Sequence, residues 1–218
     1  NPHGSNGFNP ADEQADRTPW DAQRTAGNTA DLRGKVLRIK PMTNGGYEVP
    51  KGNLFPEGEG GRPEIYVMGC RNPYRLSIDP KEGWLAWGEV GPDSRKAGDR
   101  GPMGYDEINL AKSAGNHGWP FFIGNNQAYA DWDFKNEKLI APPQDPSKPK
   151  NPSANNTGSK VLPPARSALI WYPYDASENF PELGSGGRTA MAGPFFHHDQ
   201  ASKAPYQFPA YFDNSLVI

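Results

Sequence analysis

Apolar residues along this chain come in short bursts separated by turns, and the bursts have the period of strands. In "KVLRIKP", Val36, Leu37 and Ile39 mark one strand that Pro41 closes. "EIYVMG" predicts a second, "YRLSIDP" a third in which Leu76 and Ile78 alternate with polar positions, and "GWLAWGEV" a fourth. The Asp79-Pro80-Lys81-Glu82-Gly83 corner between the last two is a hairpin signal. "YDEINLA" sets Ile108 and Leu110 against polar partners and predicts a further strand. Such spacing suits a propeller blade or a meander and not βαβ units, whose crossovers need more chain. Strand patterns return in "SALIWYPY", "RTAMAGPFFHH" and "NSLVI", and no segment carries an apolar stripe at helical spacing. The expected architecture is all-β, in two or three blade-sized units.

Composition sharpens that picture. The 218 residues include 25 Gly and 24 Pro, with six Trp, nine Tyr and ten Phe. Heavy punctuation joined to aromatic residues favours short strands around a packed core. Lys and Arg number 23 against 25 Asp and Glu, so no basic stripe marks a nucleic-acid partner. No apolar run approaches the length of a membrane span. Residues 121–165 contain "PPQDPSKPKNPSANNTGSK", and read as an irregular surface excursion rich in Pro, Asn and Ser. The lone cysteine, Cys70, excludes an intrachain disulfide and reads as a buried structural thiol.

Few residues have the setting for chemistry. Asn72 precedes a proline, which holds its backbone extended and fixes the direction of its amide, although an Asn in such a turn also serves by bonding its own backbone. The corner "EVGPDS" follows about one hairpin later, placing two polar corners at the same end of a sheet. A Gly-Pro pair presents consecutive carbonyl oxygens, the ligand type calcium uses, but most such pairs are only turns. Asp106 and Glu107 are adjacent on a strand and so face opposite sides; one is expected to support a loop and the other to face solvent. His117 sits in a Gly-Asn-His-Gly turn, the usual setting of a structural or exposed histidine. His197 and His198 point to opposite faces of their strand, which argues against a two-histidine metal site. "EGEGGRPE" lacks the Gly-Lys-Ser/Thr ending of a phosphate cradle. Trp84, Trp87, Trp119 and Trp132 are read as packing residues before sugar platforms.

"CRNPYRLSID", "WLAWGEVGPDS" and "YDEINLAKSAGNHGWP", in this order, resemble the soluble glucose/sorbosone dehydrogenase family, the six-bladed propeller quinoproteins that use pyrroloquinoline quinone (PQQ). The resemblance covers residues 33–122 well and extends loosely through "ARSALIWYPY" and "GGRTAMAGPFF". It implies that Asn72 contacts the quinone, with Arg71 beside it at the pocket mouth, and that the carbonyls of Gly91 and Pro92 hold a calcium ion. His117 stands where the family usually has Tyr and is a candidate cofactor contact. Asp106 and Glu107 are implied to brace the corner, and Arg188 and His197 fall near a basic cofactor contact.

The family's catalytic His, which takes the hydroxyl proton of the sugar, has no match here; His3 has the wrong context. The chain is therefore expected to be a fragment, with 1–218 a partial propeller and the remaining blades outside it. The implied reaction is oxidation of an aldose at its anomeric carbon, with electrons passed to an external acceptor or a haem domain. The implied location is secreted or periplasmic in a bacterium. The rival expectation is a non-catalytic propeller, a carbohydrate-binding or structural module of a large secreted protein.

Overall fold

The computed structural model describes residues 8–218, so His3 lies outside the described residues. In chain order the strands begin with β1 (Lys35–Leu37), β2 (Lys40–Pro41), β3 (Tyr47–Glu48) and β4 (Ile65–Met68). There follow β5 (Pro73–Ile78), β6 (Leu85–Glu89), β7 (Asp106–Ala111), β8 (Gly115–Asn116), β9 (Phe122–Ile123) and β10 (Gln127–Ala128). The last are β11 (Asp131–Asp133), β12 (Lys138–Ala141), β13 (Ile170–Tyr172), β14 (Phe195–Phe196) and β15 (Ser215–Leu216). Among the described residues, helical structure is confined to 3₁₀ turns of three residues, so the fold is all-β as the hydrophobic pattern predicts.

The main sheet is antiparallel in the order β13-β7-β6-β5. Its β5–β6 hairpin turns where the sequence places it: Asp79 accepts the amides of Lys81 and Glu82, and Gly83 takes a left-handed φ of 69°. A second sheet runs β1-β4-β8, with β4 antiparallel to β1 and parallel to β8.

β4 joins the two sheets through a bulge. Val36 pairs with Val67 and Leu37 with Ile65, which leaves Tyr66 without a partner. Across such a bulge the face alternation slips by one residue. Ile65 and Met68 therefore pack with Phe55, Phe121, Phe122 and Leu162, while Tyr66 and Val67 pack with Cys70, Leu85, Trp87 and Ala111. All four residues of the strand are buried on one side or the other, and each fully buried aliphatic side chain contributes about 1.5–3 kcal/mol.

Three sequence expectations change here. Leu76 and Ile78 alternate as predicted but are 50 % and 67 % exposed, because β5 is the outer strand of its sheet and nothing in the described chain covers it. Asp106 and Glu107 are both buried, so neither faces solvent. Their strand β7 is flanked by β6 and β13, and its polar face meets other chain and not water. Finally, the stretch 121–165 is not wholly irregular, since it carries the antiparallel pairs β9–β10 and β11–β12, and it is attached to the body. Phe121, Phe122 and Leu162 join the core, and buried Asn151 donates to the carbonyls of Gln23 and Gly27 at 2.9 Å each.

Candidate functional site

An open cleft of about 850 Å³ lies where the loops of residues 8–34 face the Cys70-Arg71-Asn72 corner. Phe8, Trp20, Ala26 and Arg33 line one side, and Cys70, Arg71, Asn72 and Trp119 the other. The loop side is fastened by buried Lys35, whose Nζ donates to the carbonyls of Thr25, Ala26 and Arg33 at 2.8, 3.0 and 3.0 Å. Loss of water around that ammonium pulls its pKa down to about 8. Trp119 is held by stacking on Phe8 and by an edge contact with Tyr129.

Arg71 and Asn72 are exposed at the cleft, and their backbone is clamped from behind. The Asn72 amide donates to the Glu89 carboxylate and its carbonyl accepts from Val90 at 3.1 Å. Arg71 donates from Nη1 to the Val90 carbonyl at 2.6 Å, with its guanidinium 5.9 Å from the Trp119 ring centroid. The structure thus brings together two residues that the sequence nominates, Arg71 and Asn72. Cys70 also lines the cleft, but burial pushes its thiol pKa well up, which suits the structural role expected of it.

His117 occupies a different place. It is buried beside Trp87, with ring centroids 4.7 Å apart, and lines an internal cavity of about 10 Å³ together with Arg71, Glu89, Gly91 and Glu107. Its Nδ1 lies 3.0 Å from Asn109 Oδ1, and the Asn109 amide donates to Glu107 at 2.9 Å. That chain of donors places the imidazole proton on Nδ1 and leaves Nε2 as an acceptor, with no protein partner among the described residues. Burial lowers the His117 pKa to about 3, so the ring is neutral. Burial, followed by the neighbouring Glu107, raises the Glu89 pKa to about 8; burial raises that of Glu107 to about 7. These carboxyls form a protonatable layer beneath the Asn72 corner, which sequence reading missed because Glu and Asn on a strand look like a wet face.

The Gly91-Pro92 corner answers to Asp106. Its carboxylate accepts from the Gly91 amide at 3.0 Å and from the Ala190 amide at 2.9 Å, so bracing is what Asp106 does. A side chain at Gly91 would place its Cβ 1.8 Å from the Tyr105 carbonyl oxygen, and one at Gly104 would lie equally close to the Pro92 oxygen. Two backbone segments cross here in contact, which requires both glycines.

Calcium fits this corner poorly. The Pro92 carbonyl accepts from Arg188 Nη2 at 2.7 Å, and Nη1 of the same guanidinium donates to the carbonyls of Gly104 at 2.6 Å and Tyr172 at 3.2 Å. A dication on the Pro92 oxygen would sit about 4.5 Å from that guanidinium, a repulsion of about 7 kcal/mol at an effective dielectric of about 20. Arg188 therefore faces this corner and does not line the cleft. His197 is distant from both, with Nε2 2.7 Å from Asp79 and Nδ1 3.0 Å from Asn214. Among the described residues no cluster of three or more His, Cys, Asp or Glu is placed to hold a metal ion.

Residues 13–163 match the sequence profile of the family described as Glucose / Sorbosone dehydrogenase. The chain is 34 % identical over 131 residues to quinoprotein glucose dehydrogenase B of Acinetobacter calcoaceticus, covering 58 % of this chain and 24 % of that protein. It is 32 % identical over 116 residues to HIPL2 protein of Arabidopsis thaliana, covering 48 % and 15 %. It thus spans a quarter or less of these curated relatives. Among solved structures, a putative oxidoreductase (glucose dehydrogenase) from Thermus thermophilus is similar, with 27 % identity, a TM-score of 0.42 and coverage of 79 % of this chain and 35 % of that one. The sequence match spans well over half of the chain, and on it the chain belongs to the glucose/sorbosone dehydrogenase family.

Proposed function

We propose that this chain forms one wall of a PQQ-binding cleft in a sugar dehydrogenase that oxidises an aldose at its anomeric carbon. The observation that carries this reading is the cleft itself, at which the Arg-Asn-Pro corner of a family member lies open beside Trp119 and Trp20. PQQ is a planar aromatic polyacid. A guanidinium at Arg71 complements its carboxylates, and indole rings complement its faces. Asn72 has its backbone held by Glu89 and Val90, which leaves its side-chain amide to serve as the polar contact. When bound, the quinone supplies the two-electron acceptor. This chain's residues bind and orient it.

His117 is not a direct contact in this reading, because it lies in the internal cavity behind Arg71. Calcium at Gly91 and Pro92 is not part of it either, given the guanidinium on the Pro92 carbonyl. The catalytic base, further propeller blades and the electron acceptor or haem domain would come from elsewhere, with secretion or the periplasm as the setting. No helix among the described residues is long and apolar enough to cross a membrane.

The test is reconstitution of the full-length protein, remaining blades included, with PQQ, followed by aldose-dependent reduction of an artificial electron acceptor. Quinone-dependent turnover supports the enzyme. Sugar binding without quinone uptake supports the rival carbohydrate-binding module.

A further inference from the structure

Beyond the quinone reading, and independently of it, the geometry assigns the cation of the Gly91-Pro92 corner: we infer that Arg188 is its resident cation, a guanidinium built into the chain where the family resemblance implies calcium. Three backbone oxygens, those of Pro92, Gly104 and Tyr172, converge on its two terminal nitrogens at 2.7, 2.6 and 3.2 Å. Carbonyl oxygens from separate segments converge on one centre for a cation, and here the cation is a side chain.

Charge supports the assignment. Arg188 Nε lies 3.3 Å from Asp106 Oδ1, with the two side chains 2 % and 1 % exposed. One buried carboxylate balances one guanidinium, whereas a dication added to the same oxygens would leave a buried excess of positive charge. Glu107, next along the strand, turns its carboxylate the other way, to the Gly124 amide and Asn109. The Tyr174 ring covers the guanidinium with its centroid 4.1 Å from the central carbon, and its hydroxyl donates to Asp93. A planar delocalised ion suits an aromatic cover, which a hydrated metal would not use.

The sequence is built for the arrangement. Gly91 and Gly104 let the two carbonyl-bearing segments touch, and Ala190, two residues after Arg188, is held by Asp106 through its amide. The same device recurs at Lys35, whose ammonium fills a nest of three carbonyls at the cleft loop. The corner thus keeps its shape and its positive charge without any exchangeable ion.

The experiment follows the amide resonances of Gly91 and Gly104 in the ¹⁵N-labelled protein, without added quinone, from excess EDTA to millimolar calcium chloride. The expected result is no saturable movement of either resonance. In parallel, thermal melting of Arg188→Ala is compared with that of the wild type. Emptying the carbonyl nest should convert a calcium-indifferent protein into one whose melting temperature rises with calcium. A saturable calcium response of the wild-type amides overturns the inference, whether or not the variant folds. So does a folded Arg188→Ala no more responsive to calcium than the wild type. Neither readout involves quinone or turnover, so the quinone proposal stands or falls separately.

Discussion

Replacing Asp106 by Ala removes the charge that organises the corner, and the structure sets the size of the effect. Its carboxylate is paired with Arg188 at 3.3 Å, with both side chains almost fully buried, and it accepts the amides of Gly91 and Ala190. Leaving a buried guanidinium without its counter-charge costs about 3–5 kcal/mol. Each orphaned amide adds about 1–3 kcal/mol, although the terms overlap because all three groups share one carboxylate. A loss of at least about 4 kcal/mol is expected, a large part of the 5–15 kcal/mol by which domains are stable. Asp106→Asn keeps an acceptor oxygen and should lose less. The discriminating comparison is the double variant Asp106→Asn with Arg188→Met, which removes both charges together. It should be more stable than the sum of the single losses predicts, by about 1.5 kcal/mol or more. Urea unfolding gives the assay, with unchanged slopes required before midpoints are compared. Additive losses, agreeing within about 0.5 kcal/mol, would refute the claim that these two residues act as a pair.

Two further outcomes are expected. Gly91→Ala should destabilise the protein by more than about 3 kcal/mol, since its Cβ would meet the Tyr105 oxygen at 1.8 Å; a melting temperature near the wild-type value would show that the crossing is looser than described. Stability should also fall as pH rises through the range of the buried carboxyls. Glu89 and Glu107 are raised from 4.5 to about 8 and about 7, so the folded state holds protons that the unfolded chain has already released. Their contribution is complete below about pH 4.5 and is lost on the way to about pH 8. His117, lowered from 6.5 to about 3, acts in the opposite direction and withdraws its contribution as the solution is acidified. Glu89→Gln should flatten the alkaline limb of the melting profile, and an unchanged limb would remove Glu89 as its source.

The strands were legible because their apolar alternation and their turn residues are local. Asp79 and Gly83 close the β5–β6 hairpin using groups within five residues of one another, and the pattern announces it. The polar interior was not legible. Glu107 and Asn109 alternate with Ile108 and so mimic a wet face, yet the segments after β7 fold back and bury them. Arg188 stands 82 positions from Asp106, and no local rule connects an arginine in a Gly-rich loop to a Gly-Pro corner that distant. Arg71 and Asn72 were found through a motif whose residues are contiguous, and the structure puts both on the cleft. His117 belongs to an equally contiguous motif, but its burial depends on Trp87 and Asn109, which reach it only through the completed sheet.

The most direct test of the central claim is equilibrium titration of the protein with PQQ, read by quenching of tryptophan fluorescence, since Trp20 and Trp119 both line the cleft. Saturable quenching is predicted, weakened about tenfold or more in Asn72→Ala and further when Arg71 is also replaced, with melting temperatures unchanged. Absence of saturable binding, or equal affinity in the folded variants, would contradict the placement of the quinone against this corner.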